Sequence, residues 1–88
     1  MKYQWDKTKA ASNLQKHGIE FADAISVFSH ALAITIPENR FDEERFVTIG
    51  MDGFGRILVI VFTWRSEDIR LISARLAECR ERKQYEED

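Results

Sequence analysis

The chain has little of several things, and each scarcity excludes something. It holds one cysteine, Cys79, so no intrachain disulfide and no all-cysteine metal site can form, which fits a reducing, cytoplasmic setting. It holds one proline and four glycines among 88 residues, too few for a linker or low-complexity tract. There is no excess of positive charge: 13 Lys and Arg stand against 15 Asp and Glu, a formal net charge of -2. That removes the whole-chain signature of a nucleic-acid binder, so any contact with RNA or DNA must be made by local charge. The longest apolar run, residues 57–62, is far too short to cross a bilayer, and the N-terminal residues lack the apolar stretch of a signal peptide, so no membrane role is expected.

What is present is ordinary for a folded domain: 44% hydrophobic, 32% charged and 11% aromatic residues. A chain of this length has one modest core, and residues 1–88 are read as a single domain. Residues 7–16 have helix-forming composition, with Asp6 placed to cap the first N–H groups and Gly18 to end the helix in a left-handed conformation. Phe21, Ala24, Ile25 and Phe28 recur at helical spacing and mark the buried stripe of a second helix ending near Ser29. Before both, Tyr3-Gln4-Trp5 has room for a short strand.

From Ala31 the period changes. Segments 31–36 and 45–49 are β-branched-rich runs separated by an acidic loop with Pro37, Asp42, Glu43 and Glu44. Asp52-Gly53, set between apolar runs, predicts a hairpin whose turn residues tolerate positive φ. Segment 56–64 is apolar at nearly every position, as in a central strand covered on both faces. Ser66-Glu67-Asp68 turns the chain into a strand over 69–76, and 77–87 reads as a polar helix that needs support from elsewhere. The expected fold is α+β: an antiparallel meander of about four strands, two N-terminal helices and a C-terminal helix.

Gly50-x-x-Gly53-x-Gly55 lies between strands with no following helix and no Lys-Ser/Thr, so it is a turn and not a phosphate loop. His17 and His30 have no third ligand near them in sequence, and no metal or other cofactor is expected. Segment 65–82 is more informative. It carries Arg65, Arg70, Arg75, Arg80 and Arg82, five of the eight arginines, with the acids Glu67, Asp68, Glu78 and Glu81. Arginines there can bind phosphate bidentately or can pair with those acids on a solvated edge. Strand parity puts Arg70 and Arg75 on opposite faces unless a bulge intervenes.

The spaced motifs Trp5-Asp6, Asn13-Leu14-x-Lys16-His17-Gly18 with Phe21, Glu44-Arg45, Phe62-Thr63-x-Arg65, Ile69-Arg70-x-Ile72-Ser73-Ala74-Arg75-x-Ala77, Glu81-Arg82 and Tyr85-Glu86 resemble the BrnT toxins of type II toxin-antitoxin systems, over nearly the whole chain. The resemblance implies a RelE-like fold and a cytoplasmic endoribonuclease that inhibits translation and works without a metal. It also implies neutralisation by a BrnA-like ribbon-helix-helix antitoxin in a hetero-oligomer that reaches operator DNA only through the antitoxin. By the same resemblance Arg65, Glu67, Arg75 and Arg82 are the foremost catalytic positions, and His17, Arg70, Ser73 and Tyr85 are secondary, substrate-binding ones. Glu67 is the first choice of general base and His17 the alternative. Around Ala77 the chain departs from the pattern: Leu76, Glu78 and Cys79 stand where many relatives are basic, which implies weaker hold on RNA away from the reacting phosphate. The competing reading is a noncatalytic interaction or co-repressor module that docks a ribbon-helix-helix partner.

Overall fold

Capping at both ends delimits the first helix. In the computed structural model, which describes residues 2–38 and 44–87, α1 spans Lys7–His17. The Asp6 carboxylate accepts the Thr8 N–H at 2.7 Å, and Gly18, at φ 72°, returns its N–H to the Leu14 carbonyl at 2.8 Å. The second helical segment is one α turn, α2 (Phe21–Ala24), that tightens into a 3₁₀ turn over Ile25–Ser29. It is shorter in its α part than the apolar stripe predicts.

Among the described residues the sheet has five strands: β1 (Tyr3–Gln4), β2 (Ile34–Glu38), β3 (Arg45–Met51), β4 (Ile57–Arg65) and β5 (Asp68–Leu76), ordered β1-β5-β4-β3-β2. The short N-terminal strand therefore forms, and it changes the sheet from a pure antiparallel meander to a mixed one. β1 runs parallel to β5, pairing Tyr3 with Ile69 and Gln4 with Arg70. Asp68 secures the join, its side chain accepting the Lys2 N–H at 3.1 Å. The acidic residues Asp42 and Glu43 lie outside the described residues. α3 spans Cys79–Glu87.

The β3–β4 hairpin also differs from the two-residue turn expected at Asp52-Gly53. Asp52 and Arg56 are the closing pair (N···O 2.9 Å), Gly55 N–H reaches the Asp52 carbonyl, and the positive φ (81°) falls on Gly55. This is a three-residue loop with glycine at its left-handed position. Asp52 fixes it from inside, its buried carboxylate accepting the N–H groups of Phe54 and Arg56 and the Arg56 guanidinium at 2.7 to 3.0 Å.

β4 is buried on both faces, as its unbroken apolar run predicts. Leu58, Ile60 and Phe62 point into the main core with Ile69, Leu71 and Ala74 of β5 and with Ile19, Phe21, Ala24 and Val27 of the helical layer. Gly50 lets that layer close on the sheet: a Cβ there would lie 2.8 Å from a Val27 methyl. Ile57 and Val59 face the other way and form a smaller cluster with Ile49 beneath Tyr85 of α3. Beyond α3 this second face stays partly open, with Val47, Val61 and Ile36 not fully covered.

Candidate nucleic-acid interface

One irregularity decides which side chains share the open face. Val61 pairs with Ser73 but Phe62 pairs with Leu71, so Ile72 is an extra residue on β5. This bulge resets the alternation, and Ile69, Leu71 and Ala74 all point into the main core. In consequence Arg70, Ser73 and Arg75 lie together on the open side, opposite Thr63, Val61 and Val59 of β4.

The cause is tertiary. β1 ends at Gln4, so among the described residues no strand lies beside the outer edge of β5 beyond Arg70. Asn13 of α1 takes the place of one. Its buried carboxamide donates to the Ala74 carbonyl at 2.8 Å, accepts the Ala74 N–H at 3.1 Å, and donates again to the Ile19 carbonyl at 2.9 Å. Every hydrogen-bonding group of the clasp is thus partnered, as burial demands. Alongside it, Lys9, Ser12, Lys16 and His17 of α1 face Ile72 and Ser73 across a notch of about 260 Å³.

The structure gathers six of the eight residues singled out from sequence at three places and leaves two apart from them. Arg65 and Glu67 are exposed at the β4–β5 turn, where Ser66 takes φ 58°. Arg65 pairs in register with Asp68 and Arg75 with Val59, so the two arginines are six β4 residues apart, about 20 Å at ~3.3 Å per residue. Arg75 and Arg82 sit at the far end of the sheet, Arg82 against Ile57, Leu76 and Ala77 near the β3–β4 loop and within 3.8 Å of Glu86. His17 and Ser73 both line the notch. Arg70 lies between, donating to the Gln4 side-chain carbonyl at 3.0 Å. Tyr85 is buried, anchoring α3 on Ile49, Ile57 and Val59 with its hydroxyl 3.3 Å from His30 Nδ1.

Glu81 is the residue the motifs contained and the sequence reading passed over. Arg75 donates from Nη1 and Nη2 to its two carboxylate oxygens, each at 2.8 Å. Glu81 also accepts the Glu78 N–H at 2.8 Å, one half of a capping box that starts α3. Hydrogen bonding from Arg75 holds the Glu81 carboxyl below its usual range, and the same contact pushes the Arg75 guanidinium up. A guanidinium has five N–H donors, so a pair of this kind leaves Arg75 able to meet a second anion. The cluster that sequence reasoning did not assemble is Lys9, Ser12 and Lys16, of which only Lys16 stood in a motif. Its signal was readable, because three- and four-residue steps from Lys9 put all three on the helix flank that carries Asn13.

The fold resembles that of the Brucella abortus ribonuclease toxin BrnT, known from a 1.1 Å crystal structure, with TM-score 0.71 and 32% identity over 89% of this chain and 97% of that one. Fold and open sheet face together place the molecule in the class of small α+β toxin domains. Residues 5–81 match the family described as the ribonuclease toxin BrnT of type II toxin-antitoxin systems, and the chain belongs to that family. A type II system implies a protein antitoxin as partner. No match was found among curated protein sequences.

Proposed function

We propose that the chain is an endoribonuclease that cleaves RNA by attack of the ribose 2'-OH on the adjacent phosphorus, without a metal, and thereby inhibits translation. A base takes the 2'-OH proton, the new O–P bond expels the 5'-oxygen, and that oxygen leaves protonated. The products are a 2',3'-cyclic phosphate and a 5'-OH end. A BrnA-like ribbon-helix-helix antitoxin neutralises it, and operator DNA is reached only through that partner.

The observation that carries this reading is the β5 bulge, which puts Ser73 and Arg75 on the open face, with Ser73 lining the same notch as His17. Negative charge grows on the phosphorane oxygens, and a guanidinium already oriented by Glu81 stabilises it without reorganising. The 20 Å separation moves the choice of base from Glu67 to His17, whose imidazole suits proton transfer near neutral pH. Arg82, on α3 beside the end of β5, adds positive charge at that end of the sheet. Arg65 and Glu67 then serve a flanking stretch of RNA and not the reacting bond.

Purified protein incubated with RNA in EDTA should yield cyclic-phosphate ends, and Arg75→Ala should slow this ~10²-fold or more while the circular dichroism spectrum is retained. Arg75→Lys, which keeps the charge but loses the two-pronged geometry, should fall between the two. Intact RNA after exposure to the wild-type chain, including RNA on translating ribosomes, would sink the nuclease reading. The noncatalytic docking module would then remain, supported by the engagement of Arg75 with Glu81.

A further inference from the structure

The notch between α1 and the β5 bulge differs electrically from the rest of the surface. Arg75 is paired with Glu81, Arg56 with Asp52 and Arg82 with Glu86. By contrast, among the described residues no ion pair engages Lys9, Lys16 or His17, and the notch lining contains no acid. In a chain with net charge -2, two ammonium groups and an imidazole gathered around one concavity are a local reversal of sign. Two hydroxyls, Ser12 and Ser73, line the same space, so donors of three kinds are available to phosphate oxygens.

Geometry gives the notch a direction. Lys9 and Lys16 are two helical turns apart on one flank of α1, about 10 Å at 1.5 Å rise per residue. That flank runs beside β5, held there by the Asn13 clasp on Ala74. Lys16 and His17 lie in the last turn of α1, at the carbonyl end of the helix. The result is a short positive track along the sheet edge that ends at Ser73, two residues from Arg75.

We propose that this track binds the sugar–phosphate backbone of single-stranded RNA, with Lys9 and Lys16 contacting phosphates that flank the reacting one and Ser12 and Ser73 donating to their oxygens. The assignment rests on the nuclease reading above and adds the path of the strand to it. A backbone track of this kind is sequence-tolerant and salt-dependent, because each phosphate contact releases counterions. It also supplies hold on RNA that Leu76, Glu78 and Cys79 do not provide past the C-terminal end of β5.

The test uses the full chain and a 2'-O-methyl RNA oligonucleotide, which cannot be cut because its attacking hydroxyl is blocked. Fluorescence anisotropy between 50 and 200 mM salt gives affinity and its salt slope for the wild type, Lys9→Ala/Lys16→Ala and the control Lys83→Ala. Loss of two single-strand contacts should make the slope shallower by about 1.4 and weaken binding at 50 mM salt about 10-fold or more. The control should change neither, and thermal melting should show the double variant folded, since both lysines are exposed. On cleavable RNA, kcat/KM of the double variant should fall with the affinity. An unchanged slope and affinity in that variant overturns the track even if RNA is still cut. Binding that depends on the two lysines in a chain that cuts no RNA leaves the track standing and overturns the nuclease reading instead. Unaltered RNA binding together with weakened binding of an antitoxin makes the notch a protein interface and overturns the proposal.

Discussion

At the scale of single residues, the site depends on a side chain that does no chemistry. Asn13 satisfies three backbone groups on two other segments, and each would otherwise be buried without a partner. Leaving one such group unpaired costs about 1–3 kcal/mol, so Asn13→Ala should destabilise the fold by about 2–4 kcal/mol, read as a lower denaturation midpoint with unchanged slope. Asn13→Asp should be at least as harmful, because a carboxylate keeps the acceptor for Ala74 N–H but meets two carbonyls with no donor. A loss under 1 kcal/mol in both variants would mean that water or a shifted strand replaces the clasp. The residue appeared within a motif in the sequence, yet its task was not legible there. Its partner Ala74 is 61 positions away, and nothing local marks an amide as a strand substitute.

At the scale of elements, the legible features were those set by neighbours in sequence. The Asp6 cap, the Gly18 stop and the two-faced burial of β4 follow from composition and spacing, and all are present. Features set across the fold were less so. The bulge at Ile72 has no glycine to announce it, and parity alone separates Arg70 from Arg75. The clasp and the pairing with β4 put them on one face. Likewise the hairpin was expected at the right place, but the turn closes at Arg56 because the Asp52 side chain holds that residue's backbone and guanidinium together. The polarity of 77–87 predicted a helix needing support, and α3 finds it in two contacts: Tyr85 on the Ile49, Ile57 and Val59 cluster, and Glu81 on Arg75. Tyr85→Ala should therefore release α3 while the main core, on the other face, stays intact. Amide exchange in residues 79–87 should approach the unprotected rate, with protection of β4 and β5 on the main-core side largely kept. Tyr85→Phe keeps the packing and loses only a 3.3 Å contact to His30, so it should leave α3 protected. Equal loss of protection in the whole sheet on Tyr85→Ala would show that α3 belongs to the central folding unit.

At the scale of the whole molecule, net charge conceals both the notch and the individual carboxyls whose environment sets the pH dependence of stability. The formal charge of -2 averages a notch without acids against acids elsewhere, some of them tied into local structure, and two of these are perturbed in the same direction. Burial pushes the Asp52 carboxyl up, but hydrogen bonds from Arg56 and the Phe54 N–H outweigh it and hold the group below its ordinary 3.8. Glu81 is held below 4.5 chiefly by its hydrogen bonds from Arg75. With both folded-state values depressed, the unfolded chain binds more protons in this range, so stability rises with pH there and is lost as pH falls through the folded values. The contribution is complete above about pH 5 and declines below pH 4, the window set by the ordinary values of the two groups. The partner arginines are alike, each about a third exposed, but the Asp52 carboxylate is fully buried while that of Glu81 is partly exposed, so Asp52 is expected to contribute more and the Glu81 pair ~1 kcal/mol or less after screening. Calorimetric melting between pH 2.5 and 7 should therefore show Tm falling below pH 4. Asp52→Asn should melt lower at pH 7, because the amide presents a donor where three N–H groups converge, and its Tm should depend less on pH in the acid range. Glu81→Gln should remove a smaller share of that dependence. An acid limb equally steep in the Asp52→Asn/Glu81→Gln double variant would assign the protons to other carboxylates and remove both groups from the account.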